Sequence, residues 1–340
     1  MKHHWIFILF LFIITISIIS CSKDSVINIE EEIISIPEGF PSINFPEGNE
    51  FTKERWLLGK KLFYEKRLSK SNSLSCGSCH KPELFFSDNV ATSDGDNFEK
   101  GTSNVPTLIN LAYNPYYTRA GGVPTLEMQV LVPIQEHNEF NHNIVDICKE
   151  LNADIEYNKD ALKCYNREFD PFVLTRAISN FERSFISGNS RFDEYFFQNK
   201  NASLTENEIK GLNLFRSNKT NCSQCHKDFN FTNYAFENNG LYEIYADSGR
   251  MRLTNLESDR GLFKVPTLRN IEFTAPYMHD GSIQTIEEVI EHYNSGGKNC
   301  VNKSEFLKPL HLSSEEKQDL VSFLKALTDY KFLNNNNFKQ

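Results

Sequence analysis

The stretch SLSCGSCHKPELFFSD, Ser73 to Asp88, contains Cys76-Gly-Ser-Cys79-His80, and the reading of those five residues decides the fold. C-x-x-C followed directly by His is the attachment pattern of a c-type heme. The two thiols form thioethers to the porphyrin vinyls, and the imidazole takes the iron. Taken alone, the pattern also fits a redox dithiol or half of a zinc site. It returns, however, as Cys222-Ser-Gln-Cys225-His226. Zinc sites built from two C-x-x-C pairs separate them by only ~15–20 residues, and these pairs lie far beyond that. Two hemes in two domains is the simpler arrangement.

The chain has 340 residues, a length that suits two domains, and its apolar content allows two cores. Its formal net charge of −9 argues against a nucleic-acid partner. The same charge mildly favours a basic protein partner, although plain solubility accounts for it as well. Lys2, His3 and His4 precede an apolar run from Trp5 to Ile19, which is followed by Ser20 and Cys21. That layout predicts an export signal over residues 1–21. Ile18-Ile19-Ser20-Cys21 resembles a lipobox, so Cys21 is expected to carry lipid. Residues 22–50, polar and holding Pro37, Pro41, Pro46 and Gly48, are expected to form a tether. Of the remaining cysteines, Cys148 and Cys164 could pair in an oxidising compartment, leaving Cys300 over.

The rest reads as mainly helical. An apolar stripe marks Thr52 to Arg67, and Asp170-Pro171 opens a helix running through Phe181 to Ile186. Capping-box pairs Thr205/Glu208, Thr285/Glu288 and Ser313/Glu316 open three more. Residues 334–340 are expected to be a frayed tail. An internal repeat supports duplication: Val105-Pro-Thr-Leu-Ile-Asn110 echoes Val265-Pro-Thr-Leu-Arg-Asn270 at an offset of 160. The same offset aligns Tyr117 with Tyr277, Gly121 with Gly281 and Thr125 with Thr285.

Three stretches carry a resemblance: LGKKLFYEKRLSKSNSLSCGSCH, VPTLINLAYN and FKVPTLRNIEFTAPYMHDGSIQTIEEVIEHYNSGG. They are similar, in this order, to the bacterial diheme cytochrome c peroxidase family and its MauG branch. The resemblance implies a mainly α chain of two tandem class I cytochrome c-like heme domains. These would be a peroxidatic one over 51–200 and an electron-transfer one over 201–333. It implies His80 and His226 as proximal iron ligands, and two covalently bound hemes c on Cys76, Cys79, Cys222 and Cys225. Glu139 stands where the family has its catalytic acid–base, with Gln129 and Pro133 at distal positions. Tyr293 stands at the sixth position of the second heme, with Met278 as its rival. Asn104 and the carbonyls of Thr274 and Pro276 match the family's calcium ligands.

No His lies between Lys81 and Glu136. The first iron is therefore expected to be open, unless His137 or His142 caps it from a later loop. The family's inter-heme Trp is replaced by Arg119, and Thr220 stands where MauG has a Trp two residues before its second heme motif. The resemblance implies a peroxidase that reduces hydrogen peroxide with electrons from a small c-type cytochrome or copper protein. A MauG-like oxidase of a protein or organic substrate and a non-enzymatic diheme electron carrier are the alternatives. The chain is expected to face the periplasm, tied to a bacterial membrane by lipid alone, with room for a homodimer.

Overall fold

The structure is a computed structural model that describes residues 33–96 and 98–340. The export signal, Cys21 and the first part of the tether lie outside the described residues. Seven helices of ten residues or more dominate what is described: α1 (Lys53–Phe63), α2 (Ile144–Ala153), α3 (Ile155–Tyr165), α4 (Pro171–Glu182), α5 (Glu206–Phe215), α6 (Ile286–Ser295) and α7 (Ser314–Lys325). The one paired ladder among the described residues is two residues long, β1 (Phe236–Glu237) antiparallel to β2 (Phe263–Lys264). No helix of the described residues is long and apolar enough to cross a membrane.

Local chemistry accounts for the helix starts. Asp170 accepts the Val173 amide ahead of Pro171, whose missing N–H costs nothing in a first turn. Thr205/Glu208, Thr285/Glu288 and Ser313/Glu316 each form the reciprocal capping box. Two ends differ from expectation. α1 stops at Phe63, and Lys66–Leu68 forms a separate 3-10 turn held by the Glu65 side chain on the Arg67 amide. α4 ends at Glu182. α2 and α3 were not foreseen, although their N-caps Asn143 and Asp154 are ordinary start signals.

The buried side chains form two cores. One gathers Trp56, Leu62, Phe63, Phe85, Phe86, Ile178, Phe181 and Phe185 around α1 and α4. The other gathers Leu212, Phe215, Phe231, Ile290, Leu320 and Phe323 around α5, α6 and α7. The two are built alike. In the first, Gly59 of α1 lies directly against the Ala177 carbonyl and Phe181 Cβ of α4. In the second, Gly211 of α5 lies directly against the Asp319 carbonyl and Phe323 Cβ of α7. In each pair a Cβ would overlap the facing backbone, so glycine is what lets the helices cross this closely.

Buried polar groups knot the two cores together. Asn110 donates to the Ser187 carbonyl and accepts the Ser187 amide, both at 2.9 Å. Its repeat partner Asn270 accepts the Asp329 amide at 2.8 Å and donates to Ser187 Oγ at 3.0 Å. Asp329 in turn accepts the Gly188 and Asn189 amides, each at 2.9 Å.

Three expectations need correction. The later part of the tether is packed: Phe40 sits edge-on to Phe229, and Asn49, 1% exposed, donates to Glu127 and Ser179. The tail is not frayed either. Phe338 is 3% exposed inside the first core, and its carbonyl accepts the Tyr64 hydroxyl at 2.5 Å. The chain's end thus returns to its first unit. Finally, Cys148 and Cys164 are separate free thiols, Cys148 buried and Cys164 half-buried.

Phe338→Ala is expected to destabilise the first core by about 3 to 5 kcal/mol, the usual cost of emptying a buried phenylalanine site. Scanning calorimetry of the full chain would read it. An unchanged melting profile would return residues 334–340 to the status of a loose tail.

Two candidate heme sites and the junction between them

Cys76–Cys79 is one helical turn, fixed by the Ser75 amide donating to Ser78 Oγ at 3.0 Å and the His80 amide to the Cys76 carbonyl at 2.9 Å. His80 follows with Nδ1 at 2.8 Å from the Phe86 carbonyl. A carbonyl only accepts, so Nδ1 carries the proton and Nε2 keeps its lone pair. Cys222–Cys225 repeats the turn, and His226 Nδ1 lies 3.0 Å from the Phe231 carbonyl. Burial holds both imidazoles neutral, His226 down at about 4 and His80 lowered in the same direction. A neutral, oriented imidazole with a free Nε2 is what an iron ligand requires.

Burial also pushes all four thiols up, Cys225 to about 11. Among the described residues no group of three or more His, Cys, Asp or Glu side chains gathers as a zinc site needs. Each motif instead sets two thiols one helical turn apart beside an oriented imidazole, the layout of covalent heme attachment.

Around the first motif the structure brings Glu139 into play. The segment bearing it is folded back by Phe140 N–H on the Pro133 carbonyl at 3.0 Å and by Asp96 N–H on the Glu139 carbonyl at 2.7 Å. Glu139 is an exposed side chain, yet the protein packed about it raises its carboxyl, with Glu136 adding to the shift. After burial and other charges, its charge helps to raise both Cys76 and Cys79. Gln129 Oε1 is buried without a protein partner, an acceptor left free for something else. His137 points away, 72% exposed between Glu99 and Glu136. His142 accepts the Asn143 amide through Nδ1 at 2.8 Å. Glu182, at the end of α4, was not singled out from the sequence. Burial pushes its carboxyl up to about 8, and its charge raises Cys76. Its neighbour Arg183 is already committed to Glu127 at 2.6 and 2.9 Å.

The second motif opens on a cavity of about 260 Å³, walled by Leu268, Ile286, Ile290 and Leu324. Cys222, Cys225, His226 and Tyr293 line it together. Met278 lines it as well, but its sulfur accepts from Asn239 Nδ2 at 3.2 Å. The same Asn239 side chain touches the Tyr293 phenol and draws its pKa down, while burial is the stronger effect and lifts the phenol to about 12. The His292 ring, 2.9 Å from the Asn239 carbonyl, holds that residue in place.

Between the two sites the repeat closes on itself. Asn104 N–H donates to the His279 carbonyl at 2.9 Å, and Lys264 N–H donates to the Arg119 carbonyl at 2.8 Å. At the offset of 160 Asn104 pairs with Lys264 and Arg119 with His279, so each bond is the counterpart of the other. Asn104, expected at calcium, gives its amide to the Val90 carbonyl at 3.1 Å. Its own carbonyl accepts Arg119 Nη2 at 2.7 Å, and its Oδ1 faces the same nitrogen at 3.5 Å. Thr274 and Pro276 lie on the turn that leads to Met278.

Known proteins share this pattern. A family profile described as di-haem cytochrome c peroxidase matches residues 53–201. The chain is 36% identical over 278 residues to the cytochrome c551 peroxidase of Nitrosomonas europaea, spanning 80% of this chain and 79% of that one. It is 32% identical over 291 residues to the methylamine utilization protein MauG of Methylorubrum extorquens, spanning 84% and 81%. Among solved structures, a MauG-like protein associated with microbial copper homeostasis superposes with a TM-score of 0.85 at 31% identity, covering 90% of this chain and 98% of that one.

Intact-mass measurement under denaturing conditions is expected to find two heme adducts on the exported chain. Replacing Cys76 and Cys79 by Ala should remove one, and replacing Cys222 and Cys225 by Ala the other. Two adducts surviving in either variant would break the assignment.

Proposed function

This chain belongs to the di-haem cytochrome c peroxidase family, and from that premise we propose that it reduces hydrogen peroxide at the His80 site with electrons delivered through the His226 site. The supporting observation is the place of Glu139 beside the first motif: its charge reaches both Cys76 and Cys79, while His137 points into solvent.

Bound heme supplies the redox chemistry that splits the O–O bond, two electrons and two protons converting one peroxide into two waters. The chain's own residues manage the protons. Glu139 takes the proton from the near oxygen and returns it to the departing one. Gln129 Oε1, buried without a protein partner, would accept from peroxide or water there. If no histidine took the sixth position, as the absence of His between Lys81 and Glu136 suggests, the fully oxidised protein would need no prior reduction.

At the second site, Tyr293 would hold the iron in preference to Met278, whose sulfur is engaged by Asn239. A phenolate ligand favours oxidised iron relative to thioether. That same ligand is the observation favouring the second reading, in which the oxidising equivalents go to a protein or organic substrate, as in the MauG branch. The donor in the first reading is a small c-type cytochrome or copper protein. Its encounter is favoured when it carries positive charge, given the chain's −9. Two tandem heme units, export to the periplasm and lipid on Cys21 complete the proposal. The first is supported by the paired glycine crossings and the last two by the residues before Ser22. A calcium ion at Asn104, Thr274 and Pro276 belongs to it by resemblance. Because Arg119 already uses the Asn104 carbonyl, calcium measured in dialysed protein is expected below one ion per chain. A full, EGTA-resistant ion would show that the guanidinium moves aside.

Stopped-flow mixing of the fully ferric protein with peroxide and reduced small cytochrome c decides between the two readings. Rapid catalytic oxidation supports the peroxidase. A fast spectral change with peroxide but no turnover supports the other substrate class. Glu139→Gln is expected to slow peroxide turnover by about 10²- to 10⁴-fold. Glu139 must be ionised to act as base, so kcat/KM should fall as pH drops through a value above the usual glutamate range. In Glu139→Gln that acidic limb should vanish. The same raised pKa means that ionising Glu139 costs stability as pH rises through it. An unaltered acidic limb in the variant removes Glu139 from the mechanism.

A further inference from the structure

The second cavity is mostly apolar, with Glu237 and Lys308 also in its wall, and on the side facing the junction two further cations enter it, Arg119 and Lys264. Arg119 comes from the first unit and reaches across. Its Nη2 donates to the Asn104 carbonyl at 2.7 Å, and its Nε is buried with no partner. Lys264, on β2, donates to the Tyr116 carbonyl at 3.1 Å. Both therefore bond to neutral carbonyls rather than to carboxylates. Asp280 and Asp247 act on Arg119 only as weaker charges set against its burial.

Two half-buried cations on neutral partners are costly, because each has given up part of its water without gaining a counter-charge. Burial accordingly pulls Arg119 down to about 10 and Lys264 down to about 8, and the Arg119 charge adds to the shift of Lys264. A chain with a net charge of −9 has acids to spare for this place and puts none of them in direct contact. The arrangement becomes favourable when something with two negative charges occupies the cavity and presents them on this side.

We propose that Arg119 and Lys264 are a clamp for a pair of carboxylates, the acidic edge of the porphyrin held by Cys222, Cys225 and His226. The proposal rests on the reading of that motif as a heme site. Both residues are positioning residues. They satisfy the carboxylates, fix which edge of the macrocycle faces the first unit, and place positive charge near the second iron. Positive charge there favours the reduced state, in opposition to the Tyr293 phenolate. Arg119 stands where the resemblance expects a Trp, so this position contributes charge in place of an oxidisable ring.

The test uses the full-length holoprotein with both hemes attached. Covalent attachment keeps the porphyrin in place when the clamp is weakened, so spectroelectrochemical titration can compare variants at constant heme content. Arg119→Gln and Lys264→Gln are each expected to lower the midpoint potential of the Tyr293-ligated heme, with a smaller shift at the His80 heme. Arg119→Lys should recover most of the difference. Two Gln variants that both leave the second midpoint unchanged, or that move both hemes equally, would overturn the clamp. Heme content by the pyridine hemochrome method separates this from a deeper failure: fewer than two hemes in the unaltered chain overturns the reading of the motif itself.

Discussion

Two backbone hydrogen bonds, Asn104 N–H to the His279 carbonyl and Lys264 N–H to the Arg119 carbonyl, fix how the two halves of this chain meet. Each contributes only about 1 kcal/mol net, yet their geometry is demanding. They cross between the repeats in opposite senses, so neither half can slide or turn without breaking both. Behind them, Asn110, Asn270, Ser187 and Asp329 form a buried knot whose donors and acceptors satisfy one another. Loosening it would strand polar groups away from water. Because the Cys-x-x-Cys-His turns are anchored on the same two units, their mutual placement follows from this junction.

The repeat supplies a common frame, and function enters where its halves differ. At the offset of 160, Thr118 corresponds to Met278, and both adopt positive φ, 63° and 77°. The backbone is thus the same while one side chain carries sulfur and the other does not. Pro133 corresponds to Tyr293, and Gln129 to Val289. Proline offers no ligand atom at the position where the second unit offers a phenol. The glutamine supplies a free acceptor where the second unit supplies only hydrocarbon. One frame therefore carries two differently furnished sites.

Much of this was legible in the sequence because it is local. Asp170-Pro171 and the capping boxes are satisfied within four residues, and the heme motifs need one helical turn. The tail was misread because Phe338 has no local reason to be buried. Its partners Phe86, Phe181 and Phe185 lie far back along the chain, in the first unit. Phe40 and Asn49 in the supposed tether are the same case, held by residues far along the sequence. Proline and glycine near them suggested a flexible linker, but composition cannot show that one aromatic side chain has found a slot. Glu182 and Lys264 were missed for a related reason. Their interest lies in burial without a compensating charge, a property of the folded surroundings and not of residue type.

The charge distribution then acquires a direction. The chain is acidic overall, yet the space between its two sites carries Arg119 and Lys264, while Glu139 and Glu182 are gathered about the first motif. Burial raises both carboxyls, so this region favours uptake of protons. Peroxide reduction consumes protons, and a site surrounded by reluctant carboxylates is suited to keep one at hand. Cations between the sites favour electron density arriving from the second unit. Proton-holding groups on one side and electron-favouring charges on the other require no motion of the backbone. They require only that the crossed bonds at the junction keep the two halves in register.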